Sequence, residues 1–89
     1  LPVYQIRYAE VSGNYVTIHG LEDYTVKMTL GNLEKELDER FYRMGRSFLV
    51  NLSSIRRVTK KQVFLDDHTV LPLPRGAYDG INRAIIQMR

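Results

Sequence analysis

Short runs in which apolar and polar residues alternate dominate the chain and predict a mostly β fold. The clearest run is Phe48 to Leu52, which has apolar residues on one face and at least one buried face. In a run at 24–28, Tyr24, Val26 and Met28 are expected to face inward. Further strands are predicted at 3–11, 15–19, 62–65 and 69–73. Because turn-forming residues separate the runs, we expect roughly seven to ten short antiparallel strands.

The hydrophobic period changes after Thr29. Leu30, Leu33 and Leu37 are spaced as the apolar stripe of a helix, and Thr29 is a suitable N-cap. Acidic and basic side chains cover the opposite face. We therefore expect one short helix near residues 30–38, packed on the sheet.

The C-terminal half gives weaker signals. Residues 53–61 are expected to form a short connection followed by a strand. Pro72 and Pro74 cannot donate hydrogen bonds to a neighbouring strand, so the run at 69–73 should be an edge strand or end there. Apolar residues at helical spacing indicate a possible terminal helix over Asp79 to Met88.

Length and composition indicate one domain over residues 1–89. The chain has no cysteine, which excludes disulfides and thiolate metal sites and suits the cytoplasm. No apolar run approaches the roughly 20 residues that cross a bilayer, so no membrane association is expected. Since residue 1 is leucine, we expect this domain to be the C-terminal part of a longer protein.

Charge is distributed unevenly along the chain. Residues 1–39 carry three basic and seven acidic side chains, whereas residues 40–89 carry ten basic and three acidic ones. The segment 40–61 holds seven basic residues and no acidic one. A modest net charge of +3 therefore hides a strongly basic half, which indicates a polyanionic partner.

Catalytic and metal-binding residues are poorly represented. His19 and His68 have no carboxylate at ligand spacing and are interpreted as a strand-end and a turn histidine. Asp66 and Asp67 are adjacent and are interpreted as solvated turn residues. No phosphate-binding glycine loop or nucleophile motif is present. The sequence thus predicts neither an enzyme nor a cofactor or metal site.

Several polar residues have the chemistry of nucleic-acid recognition. Arg46 follows Gly45 and is suited to guanine, although a surface salt bridge with the acidic helix is an equally good interpretation. Asn14 lies in a Ser-Gly-Asn turn, where it can bind adenine or serve only as a turn residue. Arg75 occupies a rigid corner between proline and glycine, and here too a solvated loop arginine is the alternative.

Three blocks of sequence together resemble the LytTR DNA-binding domain family, the output domains of many bacterial response regulators. The blocks are Glu10 to His19, Thr29 to Glu34 and, most specific, Phe41 to Leu52. The resemblance covers roughly residues 3–80 and implies a β-rich fold without a recognition helix. Loops at one edge would then enter successive major grooves.

The resemblance also implies positions that contact bases. They fall on Asn14 or Tyr15, on Arg46 and on Arg75, which include the three residues selected on their chemistry. Two positions depart from the family pattern. Gly45 stands where the family usually has histidine, and Pro74 replaces a small polar residue, so target preference is expected to differ.

Sequence-specific binding of double-stranded DNA is the function we infer at this stage. Phosphate contacts are expected from six residues of the basic half: Arg43, Ser47, Arg56, Arg57, Lys60 and Lys61. The resemblance implies an N-terminal receiver domain and a homodimer on DNA at direct repeats, with the isolated domain mainly monomeric. The alternative is a small β-rich protein-interaction module that binds an acidic partner. RNA or single-stranded binding is disfavoured by the few aromatic residues in the basic region.

Overall fold

The computed structural model of the chain describes residues 5–88. This part of the chain forms eight strands and two α-helices. In chain order they are β1 Tyr8–Ser12, β2 Tyr15–His19, β3 Asp23–Lys27, α1 Leu30–Glu36, β4 Phe41–Met44, β5 Phe48–Asn51, β6 Ile55–Val58, β7 Gln62–Leu65, β8 Val70–Pro72 and α2 Tyr78–Met88. The predicted mostly β fold, with seven to ten strands and one or two helices, is confirmed.

Five strands form one antiparallel sheet in the order β3-β2-β1-β5-β4. Strand β5 lies within this sheet, and both of its faces are covered. Leu49 and Val50 point to opposite faces, and each is fully buried. The prediction of at least one buried face is therefore confirmed, and this strand has two.

Two hydrophobic cores lie on the two faces of this sheet. The first joins Leu49, Val16 and Phe41 to the buried residues of α1. The second joins Val50 to the three-stranded sheet β6-β7-β8 and to Ile81 of α2. The large sheet is thus the middle layer, and the β1–β2 and β4–β5 turns are each held by strands that contain buried residues.

Helix α1 begins at the predicted residue and ends earlier than expected. The Thr29 hydroxyl accepts a hydrogen bond from the Asn32 amide at 3.1 Å, as an N-cap does. Residue 37 already has extended backbone angles, so the helix spans 30–36 rather than 30–38. Leu30 and Leu33 are its buried residues.

Two expectations about the first hairpin strands are wrong. The first strand begins at Tyr8 rather than residue 3, and positions 3 and 4 lie outside the described residues. Tyr24 and Val26 are exposed by 44% and 40%, whereas Met28, beyond the strand end, is half-buried against the core as expected. The reason is topological: β3 is an edge strand, so it lacks the neighbour that would complete a buried face.

The second sheet agrees with the prediction for its prolines. Strand β8 ends at Pro72 and is an edge strand of the sheet, where a missing amide proton costs no hydrogen bond. The segment 53–61 resolves into a 3-10 turn at Leu52–Ser54 followed by β6. Residues 41–44, for which no separate strand was predicted, form β4.

Candidate nucleic-acid interface

Two of the candidate turns lie side by side at one end of the large sheet. Strand β1 pairs with β5, so the turn that follows β1 is adjacent to the turn that precedes β5. The Val11 amide donates to the Ser47 carbonyl at 2.9 Å and continues the pairing up to these turns. Asn14 and Arg46, both exposed, line one shared cleft of about 390 Å³. Tyr15 follows Asn14 and is 51% exposed.

The turn that carries Arg46 also touches the loop that carries Arg75. Gly45 has a φ of +64°, which favours glycine, and a β-carbon added there would lie 3.0 Å from Pro74 Cγ. Arg46 and Pro74 line a common small cleft. The two departures from the family pattern therefore face each other: a proline at 74 leaves little room for a larger residue at 45.

The loop that carries Arg75 adjoins the β6–β7 turn. The Leu73 amide donates to the Lys61 carbonyl at 2.9 Å. The Lys60 ammonium lies 6.0 Å from the centroid of the Tyr78 ring. Lys60, Lys61 and Arg75 line a cleft of about 610 Å³. Residues far apart in sequence are thus brought together around one depression, which is lined by these three cations and by Asp79.

These contacts join four turns into one continuous surface, which we call the basic edge. It consists of residues 12–15, 45–47, 59–61 and 74–76. The basic edge contains all the expected base-contacting residues, together with Ser47, Lys60 and Lys61. Its backbone is set by strands of both sheets, so its side chains project from fixed positions.

The arginines around the basic edge differ in whether they form an ion pair. Arg43 lines the same cleft as Asn14, and its Nη1 lies 3.4 Å from Glu34 Oε1 of helix α1. Arg46 forms no ion pair within residues 5–88. Of the two sequence interpretations, the salt bridge with the acidic helix thus applies to Arg43 and not to Arg46.

Arg40, just before β4, is neutralised locally. Its Nη2 lies 2.7 Å from Asp38 Oδ2, and its Nε contacts both carboxylate oxygens. The hydrogen bonds from Arg40 hold the pKa of Asp38 below its usual value. Part of the positive charge counted in the segment 40–61 is therefore already compensated.

Arg56 and Arg57 lie apart from the basic edge. Both line a separate cleft with Phe64 and His68, at the end of β6 opposite to the β6–β7 turn. Arg56 occupies an irregularity in the pairing of β6 with β7. The Arg57 guanidinium lies 5.5 Å from the centroid of the Phe64 ring. The structure thus divides the predicted phosphate-binding residues into two groups.

Lys27 is a cation at this interface that sequence reasoning missed. It ends β3 opposite Tyr15, and it lines the cleft shared by Asn14, Arg43 and Arg46. It forms no ion pair in the part of the chain that the structure describes. The sequence does not indicate Lys27 as a candidate, because residue 27 belongs to the acidic half of the chain. Only strand pairing brings it to this end of the sheet.

His19 and the paired aspartates have structural partners. His19 ends β2 between Glu10 and Asp23, with Nε2 at 2.9 Å and Nδ1 at 3.3 Å from their oxygens. His68 lies in the β7–β8 turn, as expected. Asp66 and Asp67 are exposed but contact Arg7 at 3.3 Å and 3.6 Å, a partner that the sequence did not reveal.

No group of three or more metal-ligating side chains occurs among residues 5–88. Within the same residues, neither helix is long and apolar enough to cross a membrane.

A family model described as LytTr DNA-binding domain matches residues 1–86. One similar solved structure is the LytTr DNA-binding domain of a putative methyl-accepting/DNA response regulator from Bacillus cereus, with a TM-score of 0.79 and 22% identity. The match covers 97% of this chain and 84% of that chain. The curated proteins contain no match. The expected LytTR resemblance and fold are thus confirmed.

Proposed function

The chain belongs to the LytTr DNA-binding domain family and is a DNA-binding domain, and we propose that it reads specific sequences in double-stranded DNA. The observation that carries this proposal is the basic edge. Four turns from both sheets place exposed cations and an amide side chain on one surface. Among the acidic residues in ion pairs with arginine, Asp38, Asp66 and Asp67 lie away from this surface, whereas Glu34 pairs with Arg43 beside it. Asp79 lines one of its clefts.

Base recognition is assigned to the projecting side chains of the basic edge. Arg46 is suited to a guanine, because a guanidinium can donate to O6 and N7 at once. Asn14, or Tyr15 beside it, and Arg75 would read further bases, and an amide can form two hydrogen bonds with adenine. Each bidentate contact contributes about 1–3 kcal/mol of discrimination between bases.

Phosphate binding is assigned to the cations around these positions. Lys60 and Lys61 flank Arg75 in one cleft, and Lys27 and Arg43 flank Arg46 in the other. Ser47 would add a hydroxyl donor. Arg56 and Arg57, at the other end of the second sheet, reach DNA only if the duplex follows the side of the domain. These contacts supply affinity but carry no sequence information.

The wider role that we propose follows from the family. The domain would be the output domain of a bacterial response regulator that controls transcription in the cytoplasm, with a receiver domain preceding it. Two copies would occupy direct repeats on one duplex. We propose no catalytic step and no cofactor for this domain.

Selection of binders from a random duplex pool tests the proposal. The selected duplex and a scrambled duplex of equal length are then titrated by fluorescence anisotropy at several salt concentrations. We expect a short enriched motif and binding roughly 10³-fold or more tighter than to the scramble.

Two results would contradict the proposal of sequence-specific DNA binding. Weak, salt-sensitive binding without an enriched motif would leave only a nonspecific cationic surface. Binding to an acidic peptide that no duplex displaces would favour the protein-interaction alternative.

A further inference from the structure

The edge strand β3 is exposed along its length, and only its last residue, Lys27, lines a cleft of the proposed DNA interface. Tyr24 and Val26 are exposed on the sheet face that carries Val16 and Ile18, because these residues are paired in register. Thr25 lies on the opposite face, where its hydroxyl is 3.0 Å from that of Thr17. In the described residues β3 is bonded only to β2, so one side of its backbone is open.

The pairing pattern shows which backbone groups face that open side. The His19 carbonyl accepts from the Arg7 amide at 2.8 Å and therefore faces β1. Backbone groups alternate sides along an antiparallel strand, so those of Val16 and Ile18 face β3. Their partners Val26 and Tyr24 face β2 in return. The amides and carbonyls of Asp23, Thr25 and Lys27 consequently point outward.

The side chains of β3 are complementary to a second copy of β3. We propose that two copies associate by antiparallel pairing of β3 about a two-fold axis at Thr25. In this register Asp23 lies opposite Lys27 of the second copy, and Tyr24 lies opposite Val26. Opposite charges meet at both ends, and an aromatic and a β-branched residue meet on one face.

The backbone geometry fits the same register. The outward groups of Asp23, Thr25 and Lys27 form the three hydrogen-bonded pairs, which together supply about six bonds. Tyr24 and Val26 form non-hydrogen-bonded pairs, in which side chains approach most closely. An isologous contact of this kind closes on itself, so it produces a dimer and not a filament.

The available charges also favour this partner. Lys27 forms no ion pair within residues 5–88. Asp23 contacts His19 through one carboxylate oxygen and is 62% exposed at its side chain, so it can accept a second cation. A charged edge ordinarily discourages strand pairing, but here the order of the charges makes the edge match itself.

The proposed dimer differs from two copies on direct repeats, which are related by translation and not by a two-fold axis. Antiparallel pairing places the basic edges at opposite ends of the joined sheet, because Lys27 lies at that end in each copy. If the proposed DNA recognition also holds, one dimer binds two duplexes.

Concentration dependence tests the dimer. A five-residue strand gives an interface smaller than a standard one, so we expect a monomer at about 10 μM and a dimer at about 1 mM. Sedimentation measures the state, and NMR locates the surface. Raising the concentration should slow exchange of the Asp23, Thr25 and Lys27 amides and leave the Tyr24 and Val26 amides unchanged.

Charge reversal provides the matched variants. Lys27→Asp places like charges opposite each other and should weaken dimerisation about tenfold. Adding Asp23→Lys restores the complementary order and should restore the dimer. Lys35→Asp makes the same charge change on exposed α1 and should behave as the wild type.

Three results would overturn the proposal. One is an absence of any dimer at about 1 mM by sedimentation. Another is a dimer whose formation leaves exchange of the outward β3 amides unaltered. The third is a folded double variant that remains monomeric when the wild type dimerises. None of these measurements involves DNA, so they are independent of the proposed function.

Discussion

At the scale of single residues, the arginines around β4 differ in the ion pairs that they form. Arg40 is bound by Asp38 at 2.7 Å, and Arg43 lies 3.4 Å from Glu34. Arg46 forms no ion pair within residues 5–88 and lies in a turn fixed by two strands. A base contact by Arg46 therefore does not require breaking a salt bridge, whereas the proposed phosphate contact by Arg43 competes with its ion pair to Glu34.

Loss of Arg46 and loss of Lys60 should have different consequences. Arg46→Ala should reduce discrimination between the selected and an altered duplex by about 1–3 kcal/mol, roughly 5- to 150-fold, because a base contact is removed. Lys60→Ala should weaken all duplexes alike and reduce the salt slope by about one, because a phosphate contact is removed. Anisotropy titrations of both duplexes at several salt concentrations measure both effects.

The control for these variants is Arg83→Ala, which removes an exposed arginine from α2. It should leave discrimination unchanged. Equal loss of discrimination from Arg46→Ala and Lys60→Ala would contradict the assignment of their roles.

Asn51 is a buried polar residue at the end of β5 that lies opposite to the β4–β5 turn. Its amide donates to the Ile6 carbonyl at 2.9 Å, and its oxygen accepts from the Ser53 amide at 2.9 Å. With only 3% of Asn51 exposed, Asn51→Ala would leave buried backbone groups unpaired. The expected loss in the free energy of unfolding is about 1–3 kcal/mol, measured by urea denaturation.

Asn82→Ala is a suitable comparison for that measurement. Asn82 also bonds a backbone carbonyl, that of Tyr78 at 2.8 Å, but it is only half-buried on α2. We expect a loss of about 0.5–1.5 kcal/mol there, since water can replace the bond. A larger loss from Asn82→Ala than from Asn51→Ala would show that Asn51 has no special supporting role.

At the scale of elements, the β4–β5 turn depends on a glycine for two separable reasons. Gly45 and Gly13 have φ values of +64° and +60°, so alanine costs about 1–2 kcal/mol at either position. Only at Gly45 would the new β-carbon approach another residue, Pro74 Cγ at 3.0 Å. Gly45→Ala should therefore destabilise the domain more than Gly13→Ala does, as measured by urea denaturation.

A double-mutant cycle isolates that contact. Combining Gly45→Ala with Pro74→Ala should remove the excess destabilisation and leave the backbone cost alone. If the changes in the free energy of unfolding are additive, the β4–β5 turn and the Pro74 loop do not interact sterically. The two departures from the family pattern would then be unconnected.

The sequence pattern predicts elements well where neighbours complete the burial it implies. Helix α1 begins where its N-cap and leucine stripe indicate. Strand β3 has the same alternation as a buried strand, yet Tyr24 and Val26 are exposed because the strand order leaves β3 at an edge. Strand order depends on which strands pair, and no local period encodes it.

The candidate site likewise combines features that the sequence predicts with features that depend on strand pairing. Side-chain chemistry and the family motif identified Asn14, Arg46 and Arg75, and the structure gathers them on one edge. Lys27 was missed because it reaches that edge only through pairing with β2. The role of Arg43 as the partner of Glu34 was equally hidden. Candidate residues can thus be selected from the sequence, whereas their neighbours require the fold.

At the scale of the whole molecule, the size of the domain limits the DNA that one copy can contact. The Cα atoms extend over 31 × 24 × 24 Å. One helical turn of B-DNA is about 34–36 Å, or 10–10.5 base pairs. A single copy can therefore span about one turn, enough to reach two successive major-groove segments with different parts of the basic edge.

This size predicts how binding depends on duplex length. Duplexes centred on the selected motif should reach full affinity for one copy at about 10–14 base pairs and lose it below about 10. Anisotropy with a length series measures the affinity, and sedimentation verifies one domain per duplex. A scrambled series of equal lengths is the control, since its affinity should change only with the number of nonspecific sites.

If affinity at one domain per duplex keeps rising beyond about 20 base pairs, DNA must follow a longer path over the protein. Such a path would bring Arg56 and Arg57 into contact with the duplex, in addition to the basic edge.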